Sequence, residues 1–193
     1  MATRTYTAQS QDYMSPKELY LPLLDFMGLD KFKTDIACSN MNIPAELYRT
    51  PEGEFSAEAF NSMFKLSNRT GLDGGFGEGV HFCNPPFREA RHFIKVAVGE
   101  LAKEPNSRFW FILPSDRMET KYYRDYILKN PNCFIVFLPK AGFLVPNKPL
   151  DKPIASVKVM YVYFGKDAKE TAQAFNEIYG EHWAVVYNEL NTP

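Results

Sequence analysis

Four short apolar runs, 80–83, 109–113, 133–138 and 157–164, alternate with segments whose apolar residues recur at helical spacing. This alternation constrains the fold more than any other feature. The run from Phe109 to Leu113 has no polar residue and so predicts a strand buried on both faces. Between the runs, Ala90, Phe93, Ile94, Ala97, Val98 and Leu101 form a helical stripe over 88–102. Helices are also predicted over 118–128 and 168–179, the second closed by Gly180. Strands alternating with helices imply an α/β domain with a mainly parallel sheet and helices on both faces. The closing strands, 143–145, 157–164 and 183–187, predict an antiparallel edge.

The N-terminal third reads less regularly. Residues 1–12 form a polar arm. Ser15 and Pro16 are set to start a helix as N-cap and first helical residue, with Glu18 in the first turn and Gly28 at the end. A short strand is expected over 32–37, carrying Asp35. Residues 38–54 read as irregular, and 56–66 as a short helix capped by Ser56. The chain of 193 residues suffices for one domain. Its net charge of −1 excludes a uniformly basic coat, so any nucleic-acid contact must be local. Cys38, Cys83 and Cys133 are too scattered for a bridge or a metal framework, and with no bilayer-length or leader-like apolar run the expectation is a reducing cytoplasm.

Asn84-Pro85-Pro86-Phe87 stands where the run 80–83 ends and a helix is predicted to begin. Open α/β sheets bind ligands beyond the carboxyl ends of their strands. Prolines cannot donate to a ladder, so the segment leaves the sheet with a fixed backbone. An amide oxygen and a proline carbonyl accept two N–H bonds, and an aromatic ring beside them stacks on a flat group. The set suits a planar primary amine. The plain alternative is a strand-ending turn, since Asn-Pro is common there. Gly74-Gly75-Phe76-Gly77-Glu78-Gly79 is no phosphate loop, because it leads into a strand and opens no helix. It reads as a mobile loop. His81, His92 and His182 lack metal-ligand spacing.

The order of further blocks resembles the small phage-type DNA N-6-adenine methyltransferases. The blocks are Tyr13-Met14-Ser15-Pro16, Asp35-Ile36-Ala37-Cys38 with Asn40, Tyr48-Arg49-Thr50-Pro51-Glu52 and Phe82-Cys83-Asn84-Pro85-Pro86, followed by Ile112-Leu113-Pro114 and Pro153-Ile154-Ala155-Ser156. The likeness runs over roughly 12–164. Ser15 stands for the family's Thr and Cys38 for its second Ala, and 62–79 reads as an insertion. The resemblance implies a Rossmann-like methyltransferase fold with S-adenosylmethionine as cofactor, and double-stranded DNA as substrate in a phage or prophage setting. It implies Asn84, Pro85, Pro86 and Phe87 as the catalytic set. Tyr13, Ser15, Pro16, Asp35, Ala37 and Glu52 are the implied cofactor contacts.

Two readings stand for several of these residues. The Asp35 carboxylate is either a surface strand end or the partner of the cofactor ammonium. Glu52 and Glu54 are either solvated acids or acceptors for ribose hydroxyls. Arg117, Lys121, Lys140 and Lys148 are either a solvated face or phosphate contacts. The expected activity is direct methyl transfer to the amine of a flipped adenine. The alternatives are a methyltransferase of RNA adenine or protein glutamine, and a non-catalytic DNA-binding module.

Overall fold

A computed structural model describes residues 14–38, 42–51, 53–57, 65–139, 141–143 and 155–187. In chain order the elements are α1 (Lys17–Met27), β1 (Phe32–Asp35), β2 (Ala45–Thr50), β3 (Gly53–Ser56), β4 (Val80–Cys83) and α2 (Ala90–Lys103). There follow β5 (Arg108–Pro114), a 3-10 turn (Ser115–Arg117), α3 (Lys121–Tyr123) continued by a π-helical segment (Arg124–Leu128), and β6 (Cys133–Phe137). The chain ends with β7 (Ala141–Phe143), β8 (Ala155–Val157), β9 (Val159–Phe164), α4 (Ala168–Tyr179) and β10 (Ala184–Tyr187).

Eight strands form one mixed sheet in the order β10-β6-β9-β5-β4-β1-β2-β3, and β7 pairs with β8 in a separate antiparallel ribbon. Strand alternation explains the layering. β5 sends Trp110 and Ile112 into one core and Phe109, Phe111 and Leu113 into the other. The first core is closed by Leu19, Leu23 and Leu24 of α1 and Ala168, Ala172 and Phe175 of α4. Ala90, Ile94 and Ala97 of α2 close the second, with Tyr123 and Ile127. The expected helices on both faces are therefore present.

Two expectations are corrected. Antiparallel pairing is not confined to one edge: β2, β1, β4 and β5 are parallel, but β9 lies inside the sheet, antiparallel to both β5 and β6. The edges β3 and β10 are antiparallel too. A short strand entering between β5 and β6 from the far end needs no crossover helix, which is why it runs backwards. The second correction concerns 38–54, expected to be irregular. Residues 45–56 form a hairpin, with Thr50 opposite Gly53 across the turn. Most of the helix expected over 56–66 lies outside the described residues, and Ser56 itself ends β3.

α1 ends as expected. Gly28 adopts the left-handed conformation at φ 63° and donates back to the last carbonyls of the helix. Its start differs. Pro16 occupies the N-cap and Ser15 makes no capping bond.

Candidate active site

β1 is the point where the sheet changes direction: the chain goes from it to β2 on one side and then across to β4 on the other. Such a switch point opens a crevice beyond the carboxyl ends of the two strands. Asp35 is the last residue of β1 and pairs in register with Phe82; Asn84 follows β4 two residues later. Strands about 4.8 Å apart, with a rise of about 3.3 Å per residue, put the Cα atoms of Asp35 and Asn84 roughly 8 Å apart. The Ile36 N–H donates to the Phe82 carbonyl at 2.9 Å and locks this register at the rim.

At the tetrad the two prolines have different duties. The Pro86 carbonyl accepts the Glu89 N–H at 2.7 Å and so builds the turn into α2. Among the described residues the Pro85 carbonyl accepts no backbone hydrogen bond. Asn84 is half-buried, as is Phe87, whose ring meets Phe143 of the β7–β8 ribbon edge-on at 6.5 Å and 89°. That contact fixes one edge of the ring and holds the ribbon beside the tetrad.

Asp35 is only 4% exposed. Burial pushes its carboxyl up to about 7, against lowering by hydrogen bonds from the Ala37 backbone and the Cys38 side chain. Among the described residues no lysine, arginine or histidine forms an ion pair with it. A buried carboxylate is ordinarily paired with a cation, and here hydrogen-bond donors take that place among the described residues. Its charge also keeps the buried Cys83 thiol, raised first by desolvation, well above its usual range. Of the other expected cofactor contacts, Ala37 serves Asp35 through its N–H. Ser15 is buried, its hydroxyl has no partner among the described residues, and its carbonyl accepts from Asn42 at 2.7 Å. It and Pro16 therefore sit against the β1–β2 connection, and among the described residues no hydrogen bond joins Ser15 to Asp35. Tyr13, Glu52, Lys140 and Lys148 lie outside the described residues. Arg117 and Lys121 are exposed beyond the end of β5.

Glu54 is not a free ribose acceptor. It forms an ion pair with Arg49, its partner across the β2–β3 hairpin, and accepts from Ser67. Arg49 is the residue sequence reasoning missed. It is 2% exposed, and its guanidinium donates to the carbonyls of Thr70 and Gly74 at 3.1 Å and Gly75 at 3.2 Å. It also lies 5.2 Å from the centre of the Phe76 ring. From the other side, Glu100 of α2 accepts the Gly75 N–H at 2.6 Å. The Gly-rich segment is thus held at Gly74 and Gly75 from a strand on one side and a helix on the other. Gly71 is pressed against the Ile36 carbonyl and the Phe93 ring, where a side chain would collide. The loop lies between the end of β1 and α2.

His81, beneath the rim, is buried and stacked on Phe109 at 4.8 Å. Desolvation pushes it down to about 4, so it is neutral and structural. Among the described residues no His/Cys/Asp/Glu cluster could hold a metal ion, and no helix is long and apolar enough to cross a membrane. No protein-family model matches the chain, and neither a search of curated proteins nor one of solved structures finds a significant match.

Proposed function

We propose that this protein is an S-adenosylmethionine-dependent methyltransferase acting on the exocyclic amine of adenine in DNA. The observation that supports the reading is that, across one switch point, a buried carboxylate with no cation partner among the described residues faces the strand end that carries Asn84-Pro85-Pro86-Phe87. The strand order, with an antiparallel strand inserted beside β6, fits a Rossmann-like methyltransferase sheet. The ordered blocks resembling phage-type adenine methyltransferases point the same way.

Asp35 fits the cationic end of S-adenosylmethionine, because an ammonium there restores the missing partner of a desolvated carboxylate. When bound, that cofactor supplies a methyl group on a sulfonium, which departs as a neutral thioether. The rest falls to the chain. Asn84 Oδ1 and the Pro85 carbonyl accept the two amine hydrogens and draw the nitrogen toward a tetrahedral shape, its lone pair aimed across the crevice. Alignment of this kind supplies much of the acceleration. No strong base is needed beforehand, because the nitrogen becomes acidic only as it is methylated and its proton then leaves to water. Phe87 stacks on the base, and stacking worth about 1–3 kcal/mol offsets the cost of unstacking it from the duplex.

The test is labelled S-adenosylmethionine with unmethylated duplex, followed by digestion and identification of the nucleoside. Wild type yields N6-methyladenine. Asn84→Ala keeps cofactor binding and loses about 100-fold or more in turnover. Label carried into RNA or protein and none into DNA would overturn the substrate assignment, and an Asn84→Ala variant with wild-type turnover would overturn the site.

A further inference from the structure

The two edges of the eight-stranded sheet are finished in opposite ways. β3, at one end, is covered by its own chain: Glu54 donates its N–H to the Ser67 carbonyl at 3.0 Å, and its carbonyl accepts the Leu66 N–H at 2.8 Å. β10, at the other end, pairs with β6 on one side, and no described residue bridges its other side. Charges, prolines and bulges are the usual means of keeping a bare edge from recruiting another strand. Trp183-Ala184-Val185-Val186-Tyr187 contains no charge and no proline. Its register with β6 is unbroken, from Ala184 opposite Phe137 to Tyr187 opposite Phe134.

The strand is apolar on both faces. Trp183, Val185 and Tyr187 are half-buried against the core beneath α4. Ala184 and Val186 are exposed on the other face, Val186 by 45%. α4 lies against β6 and β10 and carries Ile178, which at 60% is the most exposed large apolar residue among the described residues.

The sequence of β10 fits a second copy of itself. In an antiparallel pair about a two-fold axis, opposed residues lie on the same face, so the axis falls on a residue and never between two. An axis at Val185 uses the whole strand. Val185 then meets the partner's Val185, Trp183 meets the partner's Tyr187, and Ala184 meets the partner's Val186. Aromatic and β-branched pairs of this kind stabilise a sheet, and no like charges oppose each other. β3 cannot pair in this way, because residues 66 and 67 already occupy its outer edge.

We infer that β10 is the interface of a two-fold homodimer, in which paired β10 strands join the two sheets into one. Because the pairing is antiparallel, the carboxyl ends of β1 and β4 in the two copies open at opposite rims, and so do the two tetrads. Nothing in this pairing depends on the methyltransferase reading.

Sedimentation of the full chain from about 1 to 100 μM should show a monomer–dimer equilibrium, with dimer dominant at the upper end. Ala184→Lys with Val186→Lys sets lysine opposite lysine at both contacts between 184 and 186, and should weaken the dimer at least about 10-fold. Ala184→Glu with Val186→Lys sets glutamate opposite lysine at the same places, and should bring it back to within about 3-fold of wild type. Both positions are exposed in the single chain, so both variants should keep the wild-type circular dichroism. On wild type alone, the amides of 183–187 should exchange hydrogen more slowly at the upper concentration. A wild type that stays monomeric would overturn the interface, and so would exchange rates equal at both concentrations. A glutamate–lysine variant as weak as the double-lysine one would overturn it too, because self-pairing in this register is what separates them. A chain ending at Tyr187 that dimerises where the full chain does not would give the edge to residues 188–193 instead.

Discussion

Asp35 and Glu54 are carboxylates at the same rim of the sheet, on strands separated only by β2, yet they are treated in opposite ways. Glu54 has Arg49 against it and Ser67 behind it. Asp35 has two hydrogen-bond donors and, among the described residues, no cation. The Arg49–Glu54 side is closed: its charges are spent within the protein on holding the loop 70–79. At Asp35 burial is arranged without neutralisation, which lowers stability unless a ligand supplies the charge. The contrast separates a wall from a site using side chains of the same type.

Removing the wall's central charge should have the largest effect. Arg49→Met leaves Glu54 partly buried without a partner and strips three loop carbonyls of their donor. Breaking a buried pair from one side costs about 3–5 kcal/mol. Urea unfolding should show a loss of that order, and the loop amides from 70 to 77 should exchange hydrogen faster. A loss under about 1 kcal/mol would mean that the guanidinium does not anchor the loop.

Asp35→Asn should move stability the other way. With a folded-state value of about 7 against an ordinary 3.8, ionising Asp35 in the fold costs about 4 kcal/mol. The folded state holds this proton more tightly, so the Asp35 contribution is fully present below about pH 4 and is lost as pH rises through about 7. His81 works against it over much of the same range. Its value falls from 6.5 to about 4, so the fold gains stability as pH rises through that interval. The wild-type profile is therefore flattened, and the difference between variant and wild type isolates Asp35. Asp35→Asn should match wild type near pH 4 and exceed it by up to about 4 kcal/mol at pH 8, while calorimetric binding of S-adenosylmethionine disappears. In wild type that binding should strengthen as pH rises through 7. A variant destabilised at pH 8 would place Asp35 with the structural acids, beside Glu54.

The same contrast explains what was legible in the sequence. β4 and α4 lie within the bounds read from it, because a continuous apolar run and a clean helical stripe each admit one solution. β2 was missed because Glu46, Arg49 and Thr50 break its apolar alternation. Lys33 pairs with Glu46 and Glu54 with Arg49, so the polar residues are satisfied by partners on neighbouring strands. A signal was present: Arg49 and Glu54 flank Thr50-Pro51-Glu52-Gly53, opposite charges either side of a turn, as a hairpin pairs them. The tetrad could be read because its chemistry is contiguous. The anchoring of the Gly-rich loop could not, because its main anchor lies 21 to 26 residues away on a strand that reads as irregular.

Glu100 gives the smallest and most selective test of the wall. Burial raises its carboxyl, but the bonds from Lys103 and the Gly75 N–H outweigh this and leave it lowered overall. Glu100→Gln keeps an acceptor for the Gly75 N–H and loses only the charge. A hydrogen bond to a charged group exceeds a neutral one by about 1 kcal/mol, so the expected loss is of that size. It should vanish at acid pH: with a lowered folded-state value, the Glu100 contribution is present above about pH 4.5 and is lost as pH falls below it. Gly75 should then exchange its amide hydrogen faster while the amide of Ile36, bonded to Phe82 at the rim, stays protected. Faster exchange at both amides would mean that the loop and the strand ends form one cooperative unit, and the wall would then set the geometry of Asp35 as well as enclose it.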